Sequence, residues 1–300
     1  MEKPREIDKR EELKVVTDNR VINAQDLSSL SLNARKLFYV AVSQCRKPDT
    51  EFFEYKTTPA ELAELWGIDR SNIYREADRI TTELMKIVIT LRNGKRAFSK
   101  RHLFERCDYD DNSIVVFKLH KDMTDLLLGV KKNFSQPQIW DFMKMRSPYS
   151  IAIWHLMQRE MKSFKPMMSS PIIFDLTLEE LRQVTGCEKK LKQIGQFKER
   201  VLDKAIKEIR KNCFVEIGYI NLKKGRIITG FRFTAESVLG TVDMDNLTYR
   251  QKKMCRRALL VNKKSDGNIT PEEMQELEEL TEDLIQIHME DIQNGYIKVN

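Results

Sequence analysis

The sequence predicts an α+β, helix-rich fold: two modules of the same build in tandem, followed by a helical hairpin. Three observations carry that expectation. The chain has 300 residues, too many for one average domain and suited to two cores. The pattern Thr58-Pro-Ala-Glu61 to Gly67 returns as Thr177-Leu-Glu-Glu180 to Gly186 at an offset of 119, with Leu62/Leu181 and Leu65/Val184 in step. In each half a two-faced helical stretch follows, then strand, basic turn and strand, so an internal duplication is the economical explanation.

Hydrophobic residues at 41% and charged residues at 32% describe a soluble, folded, highly charged protein. The charge is unevenly placed. Residues 241–300 hold 8 basic against 12 acidic side chains and the preceding 240 hold 44 against 33, hence net −4 and +11. A basic body of this kind suits a polyanionic partner. The five cysteines, at 45, 107, 187, 213 and 255, form no CxxC pair and suit a reducing cytosol. No apolar run nears the roughly 18 residues of a membrane span, and the opening MEKPREIDKR has no apolar signal core behind it. The expected location is the cytoplasm, with no membrane partner.

Residues 1–14 are nearly all charged and read as a flexible arm. Ser31 is a good N-cap for a first helix carrying Leu32, Leu37, Phe38, Val40 and Ala41. A short strand is expected at 52–55. Thr58 and Glu61 make a capping box, with Pro59 in the first turn of a brief helix that Gly67 ends. The next helix, from near Ser71 to about Lys86, sets Ile73, Ala77, Ile80, Leu84 and Ile87 on one face and Arg75, Arg79, Thr82 and Lys86 on the other. Strands at 87–91 and 98–107 flank the hairpin turn Asn93-Gly94, a third is expected at 114–119, and 121–128 is a short helix. Asp108, Asp110 and Asp111 read as a polar hairpin tip, because they lack the spacing of calcium-loop ligands.

The segment 133–138, NFSQPQ, is the expected joint. It gives an arm at 1–14, modules at 15–132 and 133–240, and an extension at 241–300. Helix 147–162 supplies Tyr149, Ile153, Trp154, Leu156 and Met157 to the second core, and strand 172–176 leads to the Thr177 capping box. Residues 189–210 read as one helix with Ile194, Phe197, Val201, Leu202, Ala205, Ile206 and Ile209 in one half of its surface. Strands 214–220 and 227–233 flank the turn Lys223-Lys224-Gly225-Arg226. Beyond them, 247–261 is a basic helix, and Thr270 with Glu273 caps an acidic one whose stripe is Met274, Leu277, Leu284 and Ile292.

Helix, strand, short helix, turn, long helix, β-hairpin is the order of a winged helix, a helix-turn-helix variant whose hairpin flanks the docking helix. Lys, Gln and Arg at the leading end of such a helix reach phosphates and base edges. An amphipathic helix with a solvated basic face looks the same in isolation, so the tandem arrangement carries the argument.

Three blocks go further: Val15-Val16 with Asn19, Ile22, Ala24 and Leu30-Ser31-Leu32; Ser147, Tyr149, Ser150, Ile151, Ile153, Trp154 and Leu156; and Phe197-Lys198, Arg200-Val201-Leu202 and Ala205-Ile206-Lys207-Glu208-Ile209. In this order, over about residues 15–235, they resemble the iteron-binding plasmid replication initiator (Rep) proteins, built from two winged-helix domains. Ala152 stands where that family usually has Arg, and Ile194-Gly195 where it has an aromatic. The resemblance implies monomers that bind directly repeated origin sites in double-stranded DNA, help open the adjacent duplex, and load the replicative helicase with the host initiator ATPase. It also implies dimers, formed through the first winged helix, that repress the protein's own promoter and limit copy number.

The expected DNA contacts in the second module are Lys189, Lys192, Gln193, Gln196 and Arg200, with Lys198 added by the resemblance, and Lys223, Lys224 and Arg226 in the wing. Their first-module equivalents are Arg70, Asn72, Arg75 and Arg79, with Arg92, Lys95 and Arg96 in the wing. Catalysis is not expected. No GxxxxGK[ST] loop occurs, His102, His120, His155 and His288 do not form the His-x-His pair of a nicking enzyme, and no Ser/His/Asp signature is visible. No metal or cofactor is expected. The alternative function is a winged-helix transcriptional regulator that starts no replication.

Overall fold

The computed structural model describes residues 3–9, 13–46, 48–66, 69–92, 96–110, 114–161, 171–213, 215–237 and 269–293, and the positions 252, 253, 256, 257, 260 and 264. Short strands β1 (Arg5–Glu6) and β2 (Thr17–Asp18) precede α1 (Asn19–Ile22), and a 3-10 turn at Gln25–Ser29 leads to α2 (Leu32–Ser43). Ser31 caps α2 as the sequence predicts, its Oγ accepting the Ala34 N–H at 3.4 Å. Ten consecutive residues of α2, Ala34 to Ser43, are buried; it is the central helix of the molecule rather than an amphipathic one.

Around it stand β3 (Tyr55–Thr57), α3 (Pro59–Trp66), α4 (Arg70–Lys86), β4 (Val88–Arg92), β5 (Phe98–His102), β6 (Phe104–Tyr109) and β7 (Val115–Leu119). Thr58 and Glu61 form the expected capping box, at 3.0 and 3.2 Å. The strand predicted at 52–55 lies instead at β3, because buried Phe52 anchors the preceding loop. The single strand predicted at 98–107 is two. Leu103 is fully buried and its carbonyl accepts the His120 N–H at 2.9 Å, which turns the chain between sheets. β5 pairs with β4 as the wing, and β6 joins a sheet ordered β1-β3-β7-β6. A 3-10 turn at Lys121–Met123 and α5 (Thr124–Leu127) replace the one helix expected at 121–128.

The arm expected at 1–14 is held to the body over residues 3–9. Arg5–Glu6 pairs in parallel with Tyr55 and Lys56, Ile7 is buried, Asp8 bonds Arg46 at 2.9 Å and Lys9 bonds Glu61 at 2.6 Å. Its charge misled, because these charges find partners around one apolar anchor. The expected joint at 133–138 likewise folds back: β8 (Phe134–Ser135) pairs antiparallel with β2, Gln138 bridges Lys14, and α6 (Ile139–Met143) packs on α2.

The second module comprises α7 (Pro148–Glu160), β9 (Ile172–Thr177), α8 (Leu178–Thr185), α9 (Ile194–Phe197), α10 (Asp203–Asn212), β10 (Val215–Lys224) and β11 (Ile227–Ser237), with an antiparallel sheet ordered β10-β11-β9. Thr177 and Glu180 form the second capping box, and Gly186 ends α8 at φ 65°, a left-handed conformation that Gly adopts without steric cost. The helix predicted over 189–210 begins only at Ile194, and a π turn at Lys198–Leu202 separates α9 from α10.

One apolar core runs through both modules, and buried polar groups join them. Tyr39 of α2 reaches His155 Nδ1 at 2.8 Å, while Nε2 meets Thr17 Oγ1 at 2.9 Å and Ser135 Oγ at 3.0 Å. Burial, and then Arg35 nearby, lower His155 to about 3. The ring is therefore neutral, so one of its nitrogens donates and the other accepts within this ring of hydroxyls. Arg35 donates to the carbonyls of Leu27 and Pro148, and Lys36 to that of Met143 at 2.5 Å.

The C-terminal extension carries α11 (Pro271–Gln293), capped by Thr270 and Glu273. Helical positions in 252–264 pack against it: Arg256 bonds Glu276 twice at 2.8 Å, Arg257 bonds Thr281 at 2.9 Å, and Lys253 pairs with Asp283. From 253 to 256 the partner falls from 283 to 276, so these positions run antiparallel to α11. Leu260 and Leu277 are buried; the side chains of Leu284 and Ile292 lie outside the described residues.

Candidate nucleic-acid interface

The second helix-turn-helix is built by α8, the turn 187–193, and α9 to α10. No residue in the lysine-rich turn offers an N-cap, and Leu191 takes φ 48°, a conformation that L side chains rarely adopt. Arg182 of α8 holds the turn. Its guanidinium donates to the carbonyls of Cys187 at 2.8 Å, Lys190 at 3.0 Å, Leu191 at 3.0 Å and Lys192 at 3.1 Å. Lys189, Lys192 and Gln193 are thus exposed turn residues rather than helical ones.

The π turn sets the helical register. It moves Lys198 out of the apolar arc, where an uninterrupted α-helix would place it, and lays its Nζ 5.3 Å over the Tyr219 ring and 3.4 Å from Asn221 Oδ1. Gln196 is half-buried and Arg200 exposed. Tyr219 donates to Asp203 Oδ1 at 2.5 Å, and Arg210 donates to the Ile217 carbonyl at 2.7 and 3.0 Å. Helix and wing are latched as one unit. Burial, with the Asp203 carboxylate beside it, pushes the Tyr219 hydroxyl well up, so it stays a donor.

Lys223, Lys224 and Arg226 stand exposed at the wing turn, with Gly225 at φ 62°. Among the described residues, none of Lys189, Lys192, Arg200, Lys223, Lys224 and Arg226 makes an ion pair. These charges are available to an outside anion. Lys204 and Lys207 are exposed too; neither is among the expected contacts, although their alternation with Ala205, Ile206 and Ile209 marks the solvent face.

In the first module Arg92 and Arg96 are exposed at the wing. Arg79, expected to face DNA, is clasped by Glu76 at 2.8 Å and Glu83 at 3.0 Å, and those acids also accept from Asn33 and the Ser31 N–H of α2. Its charge is compensated within the fold. Arg70, Asn72 and Arg75 fall on the first turns of α4 with side chains outside the described residues, and Lys95 lies outside them altogether.

Of the four histidines, His155 is buried in the core, His102 is exposed and His120 half-buried; the His288 side chain lies outside the described residues. Among the described residues no group of three His, Cys, Asp or Glu side chains is placed to hold a metal ion, and no helix is long and apolar enough to cross a membrane. Asp111 is not among them.

Two helix-turn-helix units, each followed by a basic β-hairpin, define a tandem winged-helix protein. Comparison with known proteins agrees. Residues 14–158 match the family described as initiator replication protein, WH1, and residues 177–235 match initiator Rep protein, WH2. The chain belongs to the replication initiator (Rep) protein family. It is similar to the PI protein of Escherichia coli, at 24% identity over 237 residues, covering 69% of this chain and 78% of that protein. It also resembles a crystal structure of Pi initiator protein in complex with iteron DNA, with a TM-score of 0.64 at 21% identity, covering 76% of this chain and 98% of that one.

Proposed function

We propose that this chain is a plasmid replication initiator that binds directly repeated origin sites, or iterons, as double-stranded DNA through both winged helices. It then helps to open the adjacent duplex and recruits the host initiator ATPase and the replicative helicase. As a dimer it represses its own promoter. It acts in the cytoplasm by binding rather than by catalysis. The observation that carries this reading is the set of exposed cations Lys189, Lys192, Arg200, Lys223, Lys224 and Arg226, without ion pairs among the described residues, on a fold shared with an initiator protein whose structure holds iteron DNA.

Permanganate footprinting of a supercoiled origin plasmid tests it. The expected result is protection of the repeats together with reactive thymines in an AT-rich segment beside them. Protein that protects the repeats but leaves that segment unreactive is a winged-helix transcriptional regulator instead.

A further inference from the structure

In both wings the last cross-strand pair before the turn joins one cation to one large apolar residue: Arg92 opposite Phe98 in the first, Lys224 opposite Ile227 in the second. Phe98 is 58% exposed and Ile227 71%, the latter the highest value among the exposed large hydrophobic residues described. Inward-facing neighbours on the same hairpins, Ile89 and Leu91 in one and Phe231 and Phe233 in the other, are buried. In the second wing a β-bulge between Leu222 and Lys223 reverses the alternation, so that Ile228 packs toward the core and Ile227 turns outward.

Around each apolar tip the cations are exposed and, among the described residues, without ion pairs: Arg96 and Lys100 beside Phe98, Lys223 and Arg226 beside Ile227. Gly225 leaves the apex of the second wing bare, with nothing within 4 Å of where a Cβ would stand. Each tip is therefore a narrow ribbon that presents positive charge and one unsheltered apolar side chain together. Ile173 and Ile220, also exposed, lie farther from the turn, flanking Arg232, which is paired with Asp175.

We infer that Phe98 and Ile227 are wedges: each wing sets its cations on the phosphates bordering the minor groove and its apolar side chain between base pairs, unstacking one step and bending the duplex. This combination of cations and a Phe or Ile wedge is how minor-groove binders kink DNA by roughly 20–90°. The cheapest steps to open are TA and CA/TG, so the wings select sequence at positions where no polar side chain reads a base. The inference rests on the proposed binding of origin repeats and says what the wings do there.

The test uses the full chain, saturating, on fragments carrying one repeat. Bend angle is read by circular-permutation mobility, and unstacking by 2-aminopurine fluorescence, with the probe placed in turn at each flexible step. Wild-type protein is expected to bend the fragment and brighten one probe per wing. Ile227→Ser and Phe98→Ser should each silence the probe of their own wing and remove about 20° or more of bend. Ile227→Leu and Phe98→Leu should keep both signals, and the salt slope of binding should hold in all variants because the cations remain. A double serine variant that binds with the wild-type bend and brightness overturns the inference while leaving the proposed function intact. One that alters only self-association overturns it too, marking the side chains as a protein contact. Wild-type protein that fails to bind repeats removes the proposed function, and this inference with it.

Discussion

The guanidinium of Arg182 lies over the ring of Phe197, 4.7 Å from its centroid. Arg182 belongs to α8 and Phe197, fully buried, to the first turn of the docking helix, so one side chain joins both ends of the turn whose carbonyls it also binds. A planar fork does this and an ammonium does not. Arg182→Lys is expected to lower affinity for origin repeats about tenfold, as one or two such bonds are lost, while affinity for unrelated DNA and the circular dichroism spectrum stay unchanged. Equal losses on both DNAs would mean that Arg182 does not orient the reading surface.

Arg200 is exposed, carries no ion pair among the described residues and stands one turn into the docking helix. Arg200→Ala should cost about 1–3 kcal/mol on the repeat and relax the preference at one base position. Replacing Lys223 and Lys224 by alanine should weaken all DNA binding and reduce the salt slope by about two. Titration at three salt concentrations separates the two behaviours.

Tyr39→Phe deletes the hydroxyl that, among the described residues, partners buried His155 Nδ1. The expected loss of stability is about 1–3 kcal/mol, measured by urea unfolding at pH 7. No loss would mean that the imidazole finds another hydrogen-bond partner.

Lys36 is 1% exposed. Burial, and then Arg146, lower it to about 7 from 10.5, against the opposing pull of Glu208. Between these values the unfolded chain holds a proton that the folded one has released, so the penalty for burying the charge is full below pH 7 and fades as pH rises. Lys36→Met should therefore be the more stable protein at pH 7, by a margin that narrows by about 1 kcal/mol per pH unit toward pH 9. Parallel urea midpoints at pH 7, 8 and 9 read the difference. A margin that stays constant would show that Lys36 does not titrate in this range.

Much of this architecture could be read from local signals. The capping boxes at Thr58 and Thr177, the N-cap at Ser31, and Gly186 are short-range chemistry, and each stands where the residue types place it. What escaped depends on distant partners. The apolar spacing from Ile194 to Ile209 has nothing to stop it running back to Lys189; Arg182 stops it, and the matching position in the first copy is Ala63, so the repeat gave no hint. Leu103 reads as mid-strand, yet its burial divides the strand. Ile227 falls in step with Phe231 and Phe233 along its strand, and the bulge at Leu222 turns it to solvent, while Phe98 shares the outward face of its strand with Lys100.

The turn at Gly186 rests on Ser28 of the first module, so closely that a Cβ there would stand 2.6 Å from the Ser28 hydroxyl. Gln183 and Arg159 reach Asn23 across the same seam. The two modules are thus mortised rather than strung on a tether, and in the proposed complex their pose would set the phase of the DNA they occupy together. On B-DNA one inserted base pair swings a contact site beyond it by roughly 35°, a rotation that the bonds across this seam oppose.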